Sequence, residues 1–200
     1  QGGKLRTAME PGQCISVDQL ESTTPGLIAQ IKGWLTKKRY RVATVFVDHF
    51  SGYKYVHLMS HLTSDETIAA KVAFERHASE LGVSILHYHA DNGRFQDNAF
   101  RAACEQRGQR LTFCGVNAHF QNAVAERING ILKQEFYIDK YNKDLPIMKQ
   151  IIKETIEIYN EKRPHYSNHM LTPNQMHKQN KLKMRTYKTK NTCKNVFASV

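Results

Sequence analysis

RVATVFVDHFSGYKYVHLMS, residues 41–60, reads as two strands joined by a tight turn. Arg41 to Phe50 is rich in Val and Phe, as a central strand should be, whereas Tyr53 to Ser60 alternates apolar and polar residues at the strand period. Ser51-Gly52 between them turns the chain, so the two runs pair as an antiparallel hairpin.

Working outward, Cys14 to Leu20 alternates in the same way and supplies a strand before the hairpin. Ser22 to Tyr40 separates it from the hairpin as a long basic insertion, with Pro25-Gly26 near its start and the chain's single tryptophan, Trp34. Downstream, Ser64 begins a helix whose apolar face is Ile68, Val72, Phe74 and Leu81, and Gly82 ends it. Val83 to His89 returns to strand, Asn98 to Arg107 is helical and closed by Gly108, and Leu111 to Cys114 is a short strand. Ala123 to Tyr141 is the longest helical run, and Leu145 to Glu161 follows as a helix carrying Ile147, Ile151, Ile152, Ile156 and Ile158. The order βββαβαβα specifies an α/β fold, a mixed sheet flanked by helices. Beyond Pro164 periodicity is lost, apart from a short turn at Leu171-Thr172-Pro173. The expected organisation is a linker over residues 1–13, a core over 14–161 and a basic, partly disordered extension over 162–200.

The formal net charge is +11. Lys and Arg neutralise phosphates and release condensed counterions, so this excess favours a polyanionic partner. Nine of the basic residues lie between Lys162 and Val200, where no acid occurs, which leaves the core nearly balanced. Cys14, Cys104, Cys114 and Cys193 form no CxxC pair, which argues against a zinc ribbon or a disulfide scaffold and for reduced thiols in an intracellular protein. The ten histidines lack zinc-module spacing, and His87 and His89 flank Tyr88 in a strand-like run, so packing or surface roles are expected. No run approaches the roughly 18 apolar residues of a membrane span, and no signal-peptide core opens the chain.

Three carboxylates stand in distinct settings: Asp18 in CISVDQLE, Asp91 in LHYHADNGRF and Glu126 in NAHFQNAVAERINGILKQE. Two end strand-like runs and the third opens an amphipathic helix. Carboxylates converging from such elements make a hard-oxygen cage suited to Mg²⁺, the apparatus of metal-assisted phosphodiester chemistry. Each acid taken alone also fits an ordinary strand end, turn or first helical turn. Asp48, before His49-Phe50-Ser51-Gly52, is a fourth acid, and its position suggests a strand-end or hairpin role.

In order and in register, VDQLE, VDHFSGYKYVHLM, ADNGRF and FQNAVAERINGIL resemble the catalytic core of the retroviral integrase superfamily, and within it the integrases of copia-type LTR retrotransposons. The resemblance covers roughly Cys14 to Tyr159 and extends to LTPNQM, which is similar to the family's Thr-Pro motif after the core. It implies a ribonuclease H-like fold with a five-stranded mixed sheet. It also implies that Asp18, Asp91 and Glu126 are a DDE triad holding two Mg²⁺ or Mn²⁺ ions, with Asp18 bridging them. Asp91 and Glu126 are 35 positions apart, one fewer than the family's commonest spacing, and Ala123 stands where the family's PQQNG has Gly.

The same resemblance points to DNA contacts by Gln121 and Asn122 before the helix. On the helix itself, Asn129 and Lys133 share a face with Glu126. The implied activity is polynucleotidyl transfer by a retrotransposon integrase, trimming and joining DNA 3′ ends, with the element's ends and target DNA as partners. A homo-oligomer, nuclear or cytoplasmic and cut from a longer polyprotein, is expected. A cut-and-paste or insertion-sequence transposase shares the core, and a decayed or domesticated DNA-binding module without catalysis is the reading from a different class.

Overall fold

The computed structural model describes residues 7–29, 35–91, 94–113 and 145–178. Five strands form one mixed sheet in the order β3-β2-β1-β4-β5. These are β1 (Ile15–Ala29), β2 (Leu35–Asp48), β3 (Lys54–Met59), β4 (His87–Ala90) and β5 (Arg110–Phe113). The hairpin read from residues 41–60 is present: β2 pairs antiparallel with β3 from Val42↔Met59 to Val47↔Lys54. It also pairs antiparallel with β1. Parallel strands need a crossover, and helix α1 (Ser64–Glu80) carries the chain from β3 to β4, which lies parallel to β1; α2 (Asn98–Glu105) then leads to β5, parallel to β4.

The basic insertion is not a separate excursion. β1 and β2 continue through it as a two-stranded ribbon, paired at Gly26↔Tyr40, Leu27↔Arg39 and Ala29↔Leu35, with register shifts on either side of Gly26 and Leu27. Pro25-Gly26 falls at the first of these irregularities, as a residue without a ladder donor should.

Alternation sorts the central strands into two faces. Ile15 and Val17 of β1, Val42 and Phe46 of β2, and Tyr88 and Ala90 of β4 form the core under α1 and α2 with Phe74, Ala78, Phe100 and Cys104. Phe46 stacks on Phe74 with ring centroids 4.4 Å apart. Val45 and Val47 of β2 are also fully buried, which explains why this strand reads as nearly continuous hydrophobic sequence.

Thr63 caps α1 by accepting the Glu66 N–H, and Gly82 takes a positive φ of 73° beyond its end. The apolar face differs from the expected one. Val72 and Leu81 are exposed, whereas Thr67, Ala70, Lys71, Phe74, Glu75 and Ala78 are buried. The helix turns an ionic pair inward: Lys71 Nζ donates to Glu75 Oε1 at 2.8 Å, and Tyr88 Oη, Gln109 Nε2 and Arg107 also donate to the same carboxylate. Burial works to raise the Glu75 pKa, but hydrogen bonds from Lys71, Gln109 and Tyr88 prevail and hold it below the usual range.

Helix α3 (Leu145–Glu157) continues into a wide turn through Lys162, closed by Arg163 N–H donating to the Ile158 carbonyl at 3.1 Å. Asn160 in that turn is bound to the start of β3, donating to Lys54 O at 2.8 Å and accepting Lys54 N–H at 3.0 Å. The Leu171-Thr172-Pro173 turn opens a short helix, α4 (Pro173–His177), with a full capping box between Thr172 and Gln175. Its Met176 packs in a second small core with Ala8, Cys14 and Phe50.

Candidate active site

The parallel register of β1 with β4 aligns Ile15 with Tyr88, Ser16 with His89 and Val17 with Ala90. The next residues are Asp18 and Asp91, so two carboxylates follow side by side on strands whose backbones are about 4.8 Å apart. Asp18 is half-buried, and its Oδ1 accepts the Gln19 N–H at 2.8 Å. The Gln19 side chain is tied to the α1 side of the sheet, donating to Thr67 Oγ1 at 3.0 Å and to Thr44 Oγ1 at 3.3 Å. That anchorage fixes the backbone beside Asp18. Asp91 is exposed just past the end of β4, on a strand whose last three residues are buried.

A polar layer lies one pleat below the two acids. Ser16 hydrogen-bonds the His49 ring, and Thr112 Oγ1 on β5 hydrogen-bonds both His87 Nε2 at 2.6 Å and His89 Nδ1 at 2.9 Å. Burial lowers the pKa of His49, and it lowers His87 and His89 to about 4, aided for His87 by Arg110 and for both by neighbouring histidines. These rings are neutral hydrogen-bonding supports at neutral pH. The sequence marked His87 and His89 for packing or surface roles; their shared partner is the β-branched Thr112, and only the β4–β5 register brings it to them.

Asp48 sits apart from this pair and has structural work. It is 2% exposed; Oδ2 accepts Gly12 N–H at 2.7 Å, while Oδ1 accepts Phe50 N–H at 2.9 Å, Ser51 N–H at 2.8 Å and the Ser51 hydroxyl at 3.1 Å. A carboxylate with that many protein donors stabilises the turn, in keeping with the hairpin role read from its position.

Adjacent carboxylates repel unless a cation lies between them, and their hard oxygens suit Mg²⁺ or Mn²⁺. The donor set of Asp18 and Asp91 therefore fits a divalent metal. Glu126, Gln121, Asn122, Asn129 and Lys133 lie outside the described residues, as do Trp34, Cys114, Cys193 and the helix expected over Ala123–Tyr141. Among the described residues no group of three or more His, Cys, Asp or Glu side chains is arranged to hold a metal ion.

The family model for the integrase core domain matches residues 110–173. The HTLV-2 integrase catalytic core domain, solved with magnesium in a dimeric form, is similar with a TM-score of 0.58 and 26% identity over 84% of this chain and 97% of that one. The catalytic core domain of BIV integrase is similar at 0.60 and 17% identity, over 83% and 93% of the two chains. This chain has the fold of a retroviral integrase catalytic core. A chain of the simian T-cell lymphotropic virus intasome, solved with PP2A regulatory subunit B56 gamma, reaches 0.66 and 22% identity over 90% of this chain, which spans 59% of the viral one. No curated protein sequence matches the chain. The expected ribonuclease H-like sheet of five strands is therefore the observed one. No helix among the described residues is long and apolar enough to cross a membrane.

Proposed function

We propose that the protein is a metal-dependent polynucleotidyl transferase that trims DNA 3′ ends and joins them to target DNA, as the integrase of a copia-type retrotransposon. The observation that carries this reading is the β1–β4 register, which sets Asp18 beside Asp91 at one edge of an integrase-like sheet. Asp18 and Asp91 would hold two Mg²⁺ or Mn²⁺ ions together with Glu126, whose assignment rests on the resemblance of FQNAVAERINGIL to the family motif. When bound, such ions acidify water or a DNA 3′-hydroxyl and stabilise the leaving oxygen.

The chain's own residues supply the positioning. Gln19, through its backbone N–H, holds one oxygen of Asp18 and orients the other. Ser16, His49, His89 and Thr112 keep the pleat beneath the acids uncharged and rigid, so negative charge is concentrated at the edge where the ions belong. Gln121, Asn122, Asn129 and Lys133 are the proposed DNA contacts, of the kind that set register on the duplex rather than read sequence. The +11 charge supports a DNA partner. Solved relatives include dimeric and trimeric forms and an intasome, and self-association is proposed here on that basis.

The test is a strand-transfer assay with recessed DNA ends and Mg²⁺ or Mn²⁺. The wild type joins ends; Asp18→Asn, Asp91→Asn and Glu126→Gln each lose joining by a factor of at least about 100 while retaining DNA binding. Equal joining by all four proteins overturns the assignment.

A further inference from the structure

The ribbon formed by the outer halves of β1 and β2 is unexplained by the sheet it leaves. β4 pairs with β1 only over Ile15–Val17, and β3 pairs with β2 only over Val42–Val47, yet β1 runs on to Ala29 and β2 begins at Leu35. Eight residues of β1 beyond Glu21, at about 3.3 Å each, give the ribbon a reach of about 25 Å. Its direction is fixed by the topology. Because β1 is parallel to β4, the ribbon departs from the edge at which β4 ends and Asp91 follows, and it starts just beyond Asp18.

Its composition is one-sided. Between Ser22 and Tyr40 there are Lys32, Lys37, Lys38 and Arg39 and no acid, and Arg41 follows at once. Lys37, Lys38 and Arg39 are consecutive on the β2 arm, with Arg39 in register with Leu27. The core as a whole is nearly balanced in charge, so the run Lys37-Lys38-Arg39 on the β2 arm is a local concentration rather than a share of a general excess. A two-stranded ribbon is also one of the few backbone forms that the major groove of a duplex admits. With one phosphate every 3.4 Å along a strand, a reach of about 25 Å spans roughly seven phosphates.

We infer that the β1–β2 ribbon is a duplex-DNA arm, which lies along the DNA beside the Asp18–Asp91 edge and holds it there through Lys37, Lys38 and Arg39. This deepens the proposed joining function and rests on it for the identity of the edge as the reacting one. Phosphate contacts of this kind hold and orient DNA without selecting sequence.

The experiment measures binding of the full chain to a blunt duplex as a function of salt. The Lys37→Gln/Lys38→Gln/Arg39→Gln variant is compared with wild type and with a charge-matched control, Arg76→Gln/Arg101→Gln/Lys178→Gln, whose residues are exposed elsewhere on the fold. The arm variant should bind about 10- to 100-fold more weakly near 0.1 M salt, and its slope of log K against log salt should flatten by about 1 to 3, one phosphate contributing about 0.9. The control should change neither by as much, and thermal unfolding should be the same for all three. Wild-type binding by the arm variant, or an equal loss in the control, overturns the proposal. Asp18→Asn is assayed in parallel for joining. If it still joins, the proposed function fails while the arm result stands; if it does not join and the arm variant binds normally, only the arm is wrong.

Discussion

Replacing Asp48 with Asn separates a structural acid from a catalytic one. The carboxylate is 2% exposed and accepts four hydrogen bonds, one at Oδ2 from Gly12 and three at Oδ1 from Phe50 and Ser51. An amide of the same shape keeps its oxygen toward the three donors and turns its NH₂ toward the Gly12 N–H, so that bond is replaced by two opposed donors. A hydrogen bond to a charged group contributes about 1.5–3 kcal/mol, and the three that remain lose their charge assistance, so Asp48→Asn should cost about 3–5 kcal/mol. For a domain of this size each kcal/mol moves Tm by about 2–4 °C, which places the variant roughly 10 °C below wild type. Asp18→Asn, which relieves repulsion with Asp91, should leave Tm unchanged or raised. Calorimetry or circular dichroism melts of both variants, read beside strand transfer, make the comparison. A melt of Asp48→Asn within about 2 °C of wild type, or loss of joining at an unaltered Tm, refutes the argument.

Gly12→Ala and Gly108→Ala both place a side chain at positive φ, 82° and 64°, but only at position 12 does the new Cβ collide with an obstacle, the Ser84 carbonyl oxygen. Gly108→Ala should cost about 1 kcal/mol and Gly12→Ala about 3 kcal/mol or more, and equal urea midpoints would count against the close approach. Glu75→Gln leaves Lys71 buried beside a neutral partner and should cost about 3 kcal/mol, with Lys71→Met/Glu75→Gln recovering part of it in a double-mutant cycle. His49 and His177 are both held below the ordinary value of 6.5, chiefly by burial, so they are neutral in the fold and take up protons on unfolding. The unfolded chain then binds more protons below about pH 6.5, and stability falls as pH drops through that value and is flat in this respect above it. His177→Gln should reduce the slope of Tm against pH below 6.5; an unchanged slope would remove His177 from the account.

The strands were legible wherever burial follows a simple period. β2 shows itself because both of its faces are covered, and β3 because one is. α1 was legible in extent but not in orientation: hydrophobicity selects Val72 and Leu81, yet the face that meets β4 and α2 is the one on which Glu75 collects Tyr88, Gln109 and Arg107, and those donors lie up to 34 residues away. The ribbon hid behind Pro25-Gly26 and its lysines, which interrupt the apolar-polar alternation by which a strand is read from sequence. α4 spans five residues, too few to show a 3.6-residue period, although its Thr-Pro start was visible. At the candidate site, Asp18 and Asp91 could be named from their motifs, whereas Thr112, His49 and Ser16 beneath them could not, because their association depends on register across three pairs of strands.

The turn after β2 is closed by residues far away along the chain. Asp48 holds Gly12, 36 residues earlier; Lys54 is bound to Asn160, 106 residues later; Ser51 receives Asn168 and His177, 117 and 126 residues later. During synthesis the hairpin and Gly12 leave the ribosome long before Asn160, Asn168 and His177 exist, so the groups that bind those three stay open to water until the segment bearing His177 has emerged. Contacts of such separation are slow to form because chain entropy is lost before they repay it. Completion of this corner is therefore a late step, and the interval before it is when a nascent chain exposes the edge of β3 to chaperones, to proteases and to other copies of itself.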